Sequence, residues 1–292
     1  MNWNAAMETI GFIGTGVMGR SMAGHLMQAG YTVNVFNRTK ARADTLVENG
    51  AVWRNSPGEV AANSNTIITI VGFPKDVEAV YLGNEGIIAN ARPGSVIVDM
   101  TTSSPKLAQK IAAAAAEKGV EALDAPVSGG DIGAREARLS IMVGGAGSAF
   151  NRVRPLFDLM GKNIGLMGAA GSGQHTKMVN QVAIASCMMG VCEAMVYARE
   201  SGLDPSAVIS VIESGAAGSW SLSNLAPRVL KGDFAPGFFV KHFIKDMRIA
   251  LESAAEMELQ LPGLSLAKQL YDKLAAQGGE DYGTQALFKL YE

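Results

Sequence analysis

Polar side chains recur along one face of a helix that the sequence predicts from about Gly173. Residues three or four apart on a helix lie on the same side. The members of this polar face are Gln174, Lys177, Asn180 and Gln181. A lysine and amides are costly to bury on an otherwise apolar helix unless they line a site. This face is therefore a candidate for chemistry that needs a positive charge and hydrogen-bond donors.

Two further segments concentrate polar groups. In Asp124–Gly130 a predicted strand runs into the sequence Ser-Gly-Gly at 128–130. A hydroxyl and exposed backbone N–H groups in such a loop can bind a carboxylate. The other segment is the adjacent pair Lys245 and Asp246, which lies within a predicted helix.

A glycine-rich turn follows the first predicted strand. It has the spacing G-x-G-x-x-G at Gly14, Gly16 and Gly19. The first glycine allows a tight turn, the second lets the backbone approach a pyrophosphate, and the third lets helix and strand pack closely. Free N–H groups at the start of the next helix then face the phosphates. We predict a dinucleotide site that includes Val17 and Met18, against the alternative of glycines that serve only a turn.

The end of the second predicted strand bears on the choice between NAD and NADP. An acidic residue at this point typically binds the ribose hydroxyls of NAD, but the sequence here is Asn37, Arg38 and Thr39. An arginine attracts a 2′-phosphate and can bind it with two parallel hydrogen bonds, whereas a carboxylate would repel it. The sequence therefore favours NADP, and NAD stays possible if Arg38 is only a surface residue.

Two more strand ends should face the cofactor, because ligands bind at the carboxyl ends of parallel strands. The first carries Phe73 and Pro74, and the second carries Thr102. We expect these three residues to contact the cofactor, with Phe73 as an ordinary loop aromatic as the alternative.

Strand and helix patterns alternate in the first part of the chain. The strand segments are Thr9–Ile13, Thr32–Phe36, Thr66–Val71, Ser95–Asp99 and Glu121–Asp124, and later Leu139–Val143 and Asn163–Met167. The helical segments among them are Met18–Ala29, Lys40–Asn49, Lys75–Leu82, Pro105–Lys118 and Ala149–Met160. This alternation predicts βαβ units and a parallel sheet.

Strand patterns stop near Ser172. Helices are then predicted at Gln174–Ser201, Leu222–Lys231, Lys241–Met257 and Leu264–Gln277. The predicted fold is an α/β Rossmann-type N-terminal domain at residues 1–172, followed by an all-α C-terminal domain at residues 173–292 for substrate binding and oligomerisation. Because Val182–Met195 is apolar nearly all round, we expect that helix to pack against other helices or another subunit in a homodimer or homotetramer.

Composition excludes several classes of protein. The chain has 292 residues, 48% of them hydrophobic and 18% charged, with a net charge of −2. This favours a folded protein of about two domains and argues against a nucleic-acid partner. Two cysteines that do not share a helix face and an N-terminus without a secretory signal favour a cytoplasmic location. The longest apolar run is too short to demand a membrane, and no His or Cys spacing suggests a metal.

Taken together, four motifs resemble the β-hydroxyacid dehydrogenase family, which includes 3-hydroxyisobutyrate dehydrogenase and tartronate semialdehyde reductase and is related to 6-phosphogluconate dehydrogenase. The motifs are the turn at Gly14, Asp124–Gly130, Gly171–Asn180 and Lys245-Asp246, in the family's order. The resemblance extends from Ile10 to about Ala286. It implies oxidation of a small 3-hydroxy acid with NAD(P), or reduction of the matching semialdehyde.

The resemblance also implies roles for individual residues. Lys177 matches the catalytic lysine, and Asn180 matches an amide that holds the substrate. The carboxylate-binding loop is matched by Ser128, Gly129 and Gly130. Lys245 matches a lysine near the nicotinamide and substrate, and Asp246 matches its orienting neighbour. A lysine ammonium suits the implied reaction because it stabilises a developing alkoxide and supplies its proton.

One departure and several alternatives stay open. The family often has glycine where this chain has Ala137, which indicates an altered loop. A short-chain semialdehyde reductase, for tartronate or succinic semialdehyde, fits the motifs equally well. An imine reductase is disfavoured by Lys177, and 6-phosphogluconate dehydrogenase itself by the chain's size. A non-catalytic dinucleotide sensor would need only the glycine turn.

Overall fold

The computed structural model describes residues 8–292, in two compact units that divide between Lys177 and Met178. The N-terminal residues 1–7, for which we predict no secretory signal, lie outside the described part. The division falls five residues beyond the boundary that the sequence suggests at 172. As a result Lys177 belongs to the first unit.

The first unit contains a nine-stranded sheet in the order β3-β2-β1-β4-β5-β6-β8-β7, with β9 beside β8. The strands are β1 Thr9–Ile13, β2 Thr32–Phe36, β3 Val52–Trp53, β4 Thr66–Thr69, β5 Val96–Asp99, β6 Glu121–Asp124, β7 Val127–Ser128, β8 Leu139–Gly145 and β9 Gly161–Gly168. From β3 to β6 all neighbours are parallel. Strand β8 pairs antiparallel with β6 and β7 and parallel with β9. The predicted Rossmann-type sheet is confirmed, with an antiparallel addition at one side.

Helices connect these strands. They are α1 Val17–Gln28, α2 Asp44–Glu48, α3 Pro57–Ala62, α4 Pro74–Leu82, α5 Ile87–Asn90, α6 Pro105–Ala116, α7 Gly130–Arg135 and α8 Gly147–Asp158. A short 3-10 helix, Lys40–Arg42, precedes α2, so the predicted helix Lys40–Asn49 is two pieces.

Alternate residues of the central strands enter two separate hydrophobic clusters. Phe12 of β1 packs with Val98 of β5 and with Phe157 of α8, whereas Ile13 and Ile97, their strand neighbours, join the other cluster. Successive side chains of a strand point to opposite faces, so both faces of the sheet are covered. This two-sided burial explains the continuous apolar sequence of the central strands.

The second unit is helical. It contains most of α9 Ser172–Glu200, followed by α10 Pro205–Ile212, α11 Trp220–Asn224, α12 Ala226–Leu230, α13 Val240–Glu256 and α14 Pro262–Ala276, with 3-10 helices at Gly279–Asp281 and Thr284–Tyr291. The rings of Phe243 on α13 and Tyr271 on α14 meet edge to face with centroids 5.0 Å apart. The predicted helix Leu222–Lys231 breaks at Leu225, because Pro227 cannot continue a helix from the preceding residues.

Helix α9 is only partly covered. Within residues 8–292 it is the one helix long and apolar enough to cross a membrane, and 33% of its most apolar stretch is buried. Cys192 is buried and Cys187 half-buried, and both are free thiols. One side of the helix faces outward in the single chain, so Val182–Met195 packs against other helices on its remaining sides only, and the expected packing against another subunit stays a prediction.

Candidate active site

The glycine turn has the geometry of a phosphate cradle. Gly14 has φ +98°, and a Cβ there would overlap the carbonyl oxygen of Ile70. A Cβ on Gly19 would overlap the carbonyl oxygen of Gly14, whereas a Cβ on Gly16 would meet nothing within 4 Å. No side chain caps the first N–H groups of α1, which begins at Val17. Open space beside uncapped amides fits the pyrophosphate of a dinucleotide.

The end of β2 is attached to this turn. The backbone N–H of Thr15 donates to Asn37 Oδ1 at 3.1 Å, and Asn37 Nδ2 donates to the carbonyl of Thr39 at 2.8 Å. Arg38 Nη1 lies 3.1 Å from Asp76 Oδ1 of α4, and the arginine side chain is 87% exposed. The structure thus brings together the residues of the predicted ribose end, namely the turn, Asn37 and Arg38.

The next predicted cofactor residues lie at the start of α4. Phe73 is its N-cap, and Pro74 is its first residue. The N–H of Phe73 donates to Asp76 Oδ2 at 3.2 Å, so one carboxylate contacts both this helix start and Arg38. Sequence reasoning missed Asp76, although an acidic residue two positions after Pro74 is a signal of a helix start.

A buried carboxylate organises the end of β5. Asp99 Oδ1 accepts hydrogen bonds from the hydroxyl of Thr69 at 2.9 Å and from the N–H of Thr101 at 3.0 Å. The Thr101 hydroxyl in turn accepts from the N–H of Val71 at 2.9 Å. Burial, together with the negative charge of Asp124, raises the pKa of Asp99 to about 6, and the hydrogen bonds oppose that rise. The loop that carries Thr102 is therefore fixed to the ends of β4 and β5.

A second buried carboxylate, Asp124 at the end of β6, holds the start of α9. Its two oxygens accept from the N–H groups of Gly171 at 2.7 Å and Gln174 at 2.8 Å. A negative charge at a helix start satisfies orphan N–H groups and the helix dipole. Burial raises the pKa of Asp124, and the backbone hydrogen bonds lower it. Asp124 thus links the strand before the Ser-Gly-Gly loop to the helix of Lys177.

The Ser-Gly-Gly loop has a backbone that requires its glycines. Gly129 has φ +133° and Gly130 has φ +63°, a region that other residues rarely adopt. Ser128 ends β7, and Gly130 begins α7. After α7 the chain turns at Ala137, where φ is +52°. This left-handed backbone gives the physical reason why the family often has glycine at that position.

Lys177 lies one turn after Gln174 on α9. Both are buried, with 6% of the lysine and none of the glutamine exposed. Gln174 Nε2 donates to the carbonyl of Thr101 at 2.7 Å, and Gln174 Oε1 accepts from the N–H of Ser103 at 2.9 Å. The sequence puts Gln174 on the polar face but gives it no role.

The second unit contains a separate polar chain. Asn180 Nδ2 donates to Gln181 Oε1 at 2.7 Å, and Gln181 Nε2 donates to Asp246 Oδ2 at 2.6 Å. Lys245 Nζ lies 3.0 Å from Asp246 Oδ1, and both side chains are almost fully buried. Burial and the charge of Lys245 lower the pKa of His242, which precedes that pair by one turn. Gln181 is the member for which sequence reasoning gives no function.

Known proteins resemble nearly the whole length of the chain. Residues 9–168 match the model of the NAD binding domain of 6-phosphogluconate dehydrogenase, and residues 171–291 match that of NADP-dependent 3-hydroxyisobutyrate dehydrogenase. An uncharacterized oxidoreductase of Bacillus subtilis is 60% identical over 97% of this chain and 99% of its own length. The 2-hydroxy-3-oxopropionate reductase of Escherichia coli is 40% identical over 97% of each chain.

Among solved structures, 3-hydroxyisobutyrate dehydrogenase of Mycobacterium tuberculosis with L-serine has a TM-score of 0.90 and 32% identity, covering 98% of this chain and 99% of its own. The fold and the glycine turn define a nicotinamide-dependent oxidoreductase. The chain belongs to the β-hydroxyacid dehydrogenase family. It is therefore an enzyme that uses NAD(P) to oxidise small hydroxy acids or reduce their carbonyl counterparts, rather than a nucleotide sensor.

Proposed function

We propose that the enzyme interconverts a short 3-hydroxy acid and its semialdehyde with NADP as the preferred cofactor, and that Lys177 is its general acid and base. The observation that carries this proposal is the burial of Lys177 on a helix start that Asp124 attaches to the strand before the Ser-Gly-Gly loop. An ammonium is costly to bury, so its retention there indicates a function.

The nicotinamide, when bound, supplies the hydride to the carbonyl carbon in reduction and accepts it in oxidation. Lys177 Nζ donates a proton to the substrate oxygen as negative charge develops on it, and takes that proton back in the reverse direction. The Ser128 hydroxyl and the N–H groups of Gly129 and Gly130 bind the substrate carboxylate. Asn180 holds the substrate hydroxyl.

Lys245 and Asp246 are further proposed binding residues, in the second unit. Asp246 fixes the Lys245 ammonium by an ion pair, and Gln181 ties the same carboxylate to Asn180. A buried pair of this kind keeps both side chains in one geometry. We propose that Lys245 contacts the nicotinamide and substrate from this fixed position.

The NADP preference is supported by the ribose end of the cofactor cradle. Arg38 is exposed there, Asn37 hydrogen-bonds the turn, and neither position holds an acid that would repel a 2′-phosphate. The family model for residues 171–291 is likewise described as that of an NADP-dependent enzyme. Val17, Met18, Phe73, Pro74 and Thr102 are the remaining proposed cofactor contacts.

The substrate is proposed to be a carboxylate of three or four carbons. The Escherichia coli relative is named for a three-carbon semialdehyde, and the Mycobacterium tuberculosis structure holds L-serine, a three-carbon 3-hydroxy acid. A screen of cofactor consumption over semialdehydes of increasing length and branching identifies the preferred member.

The test of the catalytic role is Lys177→Met, which keeps most of the side-chain volume and removes the proton donor. We expect kcat to fall about 100-fold or more, which is within the usual contribution of general acid catalysis. Lys110→Met, on a lysine that pairs with Glu78 at an exposed position, is the control and should keep native kcat. A loss below about tenfold in a folded Lys177→Met enzyme, about 1.4 kcal/mol of barrier, excludes Lys177 as the acid.

We further propose that a second copy of the chain covers the outward side of α9, in a homodimer or homotetramer. Apolar and small residues on that side include Val179, Ala183, Gly190 and Tyr197, with Val179 71% and Tyr197 77% exposed. A membrane is a poorer occupant because Ser186 and Glu193 also face outward, and polar groups are expensive in lipid.

A further inference from the structure

The Gln174 side chain joins the start of α9 to the loop after β5. It is fully buried, and both ends of its amide bond the backbone of that loop. Its Nε2 donates to the Thr101 carbonyl at 2.7 Å, and its Oε1 accepts from the Ser103 N–H at 2.9 Å. Charge-neutral hydrogen bonds of this length and burial restrict both partners to one arrangement.

The loop itself is rigid on its other side. Thr101 donates its N–H to Asp99, and its hydroxyl accepts from Val71 at the end of β4. The backbone N–H of Gln174 meanwhile donates to Asp124 at the end of β6. Gln174 is therefore the point where the ends of β4, β5 and β6 are connected to the first turn of α9.

We propose that Gln174 is a positioning residue for hydride transfer. It sets the place of Lys177, one turn further along α9, relative to the loop of Thr102, which is a proposed cofactor contact. The inference rests on the proposed function, because it assumes that Lys177 and that loop meet the reacting groups. Small errors in such placement are costly, because reacting atoms must be held within a narrow range of distances.

The chemistry of the position explains why it holds an amide. The loop offers one acceptor, the Thr101 carbonyl, and one donor, the Ser103 N–H, so the side chain must donate and accept at once. Glutamine does so without charge, whereas an ionised glutamate only accepts and a lysine only donates. The nearby Asp99 and Asp124 carboxylates also make an added negative charge unfavourable.

The test compares Gln174→Met with Gln285→Met. Gln285 is equally buried, with 1% exposed, and donates to the carbonyls of Asp233 and Ala235 in the second unit. Gln174→Met leaves a carbonyl and an N–H of two buried residues, Thr101 and Ser103, without their side-chain partner, and Gln285→Met removes the hydrogen bonds of an equally buried amide, so both should lower the melting temperature. We expect kcat to fall about tenfold or more only in Gln174→Met, with KM for the hydroxy acid changed less than about threefold.

Lys177→Met separates this inference from the proposed function. If Lys177→Met retains native kcat, the proposed function fails. Two outcomes overturn only the inference about Gln174. In one, Lys177→Met loses activity while a folded Gln174→Met keeps native kcat. In the other, kcat falls as much in Gln285→Met as in Gln174→Met. The variant that combines Lys177→Met with Gln174→Met should have a kcat less than about twofold below that of Lys177→Met alone. The reason is that the effect of Gln174 passes through Lys177.

If Gln174→Met does not fold, Gln174→Glu provides the measurement. The ionised glutamate keeps the length of the side chain and the acceptor for Ser103 but cannot donate to Thr101. At pH 8 we expect kcat to fall about threefold or more with an unchanged KM for the hydroxy acid, and native kcat in this variant overturns the proposal.

Discussion

Asp76 holds Arg38 at 3.1 Å through one oxygen and accepts from the N–H of Phe73 through the other. The arginine proposed to bind a 2′-phosphate is thus already directed toward the start of α4. An exposed ion pair of this kind contributes about 1 kcal/mol or less, so a phosphate can displace or join it at little cost. The proposed NADP preference rests on this guanidinium, and NAD remains an alternative cofactor.

Arg38→Asp should reverse the cofactor preference. The substitution removes the cation that attracts a 2′-phosphate and places a carboxylate where ribose hydroxyls would lie. We expect the ratio of kcat/KM for NADPH to that for NADH to fall about 100-fold or more, as measured by initial rates at fixed ionic strength.

The control for that change is Arg154→Asp on α8, where the arginine pairs with Asp158 at an exposed position. It makes the same change in net charge and should leave the ratio unchanged. An equal shift in both variants would assign the effect to overall charge and not to Arg38.

Stability should depend on pH through Asp99. Its pKa in the folded protein is raised to about 6, well above that of the unfolded chain. Between about pH 4 and pH 6 the folded state keeps a proton that the unfolded state has lost, so the free energy of unfolding falls as the pH rises, by about 3 kcal/mol from this group. Asp99→Asn removes this contribution while keeping an acceptor for Thr69 and Thr101.

Urea unfolding at several values between pH 4 and pH 7.5 measures this effect as the difference between Asp99→Asn and the unaltered protein. The variant should gain stability relative to the unaltered protein as the pH rises from about 4 to 6, and the difference should level off above that. Asp158→Asn, at a half-exposed carboxylate, is the control for the exchange of a carboxylate for an amide. A flat difference for Asp99→Asn would show that the pKa of this carboxyl is not raised in the folded protein.

The turn at Ala137 offers a stabilising substitution. With φ +52°, the alanine is in the left-handed region, where a Cβ costs about 1–2 kcal/mol and glycine pays no such cost. Allowing for the greater freedom of glycine in the unfolded chain, Ala137→Gly should raise the free energy of unfolding by about 0.5–1 kcal/mol. Chemical denaturation measures the gain.

The same substitution in the middle of a helix should have the opposite sign. Ala112→Gly in α6 should lower the stability by about 1 kcal/mol, because glycine is a poor helix former. If Ala137→Gly is destabilising to a similar degree, the turn does not have the backbone described above.

The outward side of α9 should determine the oligomeric state of the enzyme in solution. Tyr197→Glu and Ala183→Arg place charges on that side, and light scattering should show a shift from dimer or tetramer to monomer. Val47→Glu, on the half-exposed α2 of the first unit, should leave the mass unchanged. An unaltered protein that is a monomer at micromolar concentration contradicts the proposed oligomer.

Much of the fold could be predicted from local patterns. The bounds of β1, β2 and β6 agree with the predicted segments. β1 and β2 carry β-branched residues, which favour strands. Ser56 and Asp204 cap α3 and α10 through their side chains, and each precedes a proline at the first helical position, which is a local signal of a helix start.

Elements held by tertiary contacts were missed. Strands β3 and β7 have two residues each, too few to form a periodic pattern. Helix α5 has four residues, and α7 begins at the second of two glycines whose backbone angles no residue pattern reveals. Such segments obtain their structure from neighbours and not from their own sequence.

The candidate site, like the fold, could be predicted from the sequence only in part. Spacing on a helix puts Gln174 and Lys177 on one face, and that much follows from 3.6 residues per turn. The bonds from Gln174 to Thr101 and from Gln181 to Asp246 join residues more than sixty positions apart. A single sequence contains no pattern that pairs such distant positions.

Gly144 of β8 and Gly173 of α9 lie against each other beside Asp124. A Cβ on Gly144 would come within 2.5 Å of an Asp124 oxygen and 2.7 Å of the Gly173 nitrogen, and one on Gly173 would overlap the carbonyl of Met142. A methyl group at either place would therefore push the helix away from the strand. A chimaera of this chain and a relative's helical half should therefore be joined after Lys177, so that Gly144 and Gly173 come from the same parent and keep their close contact.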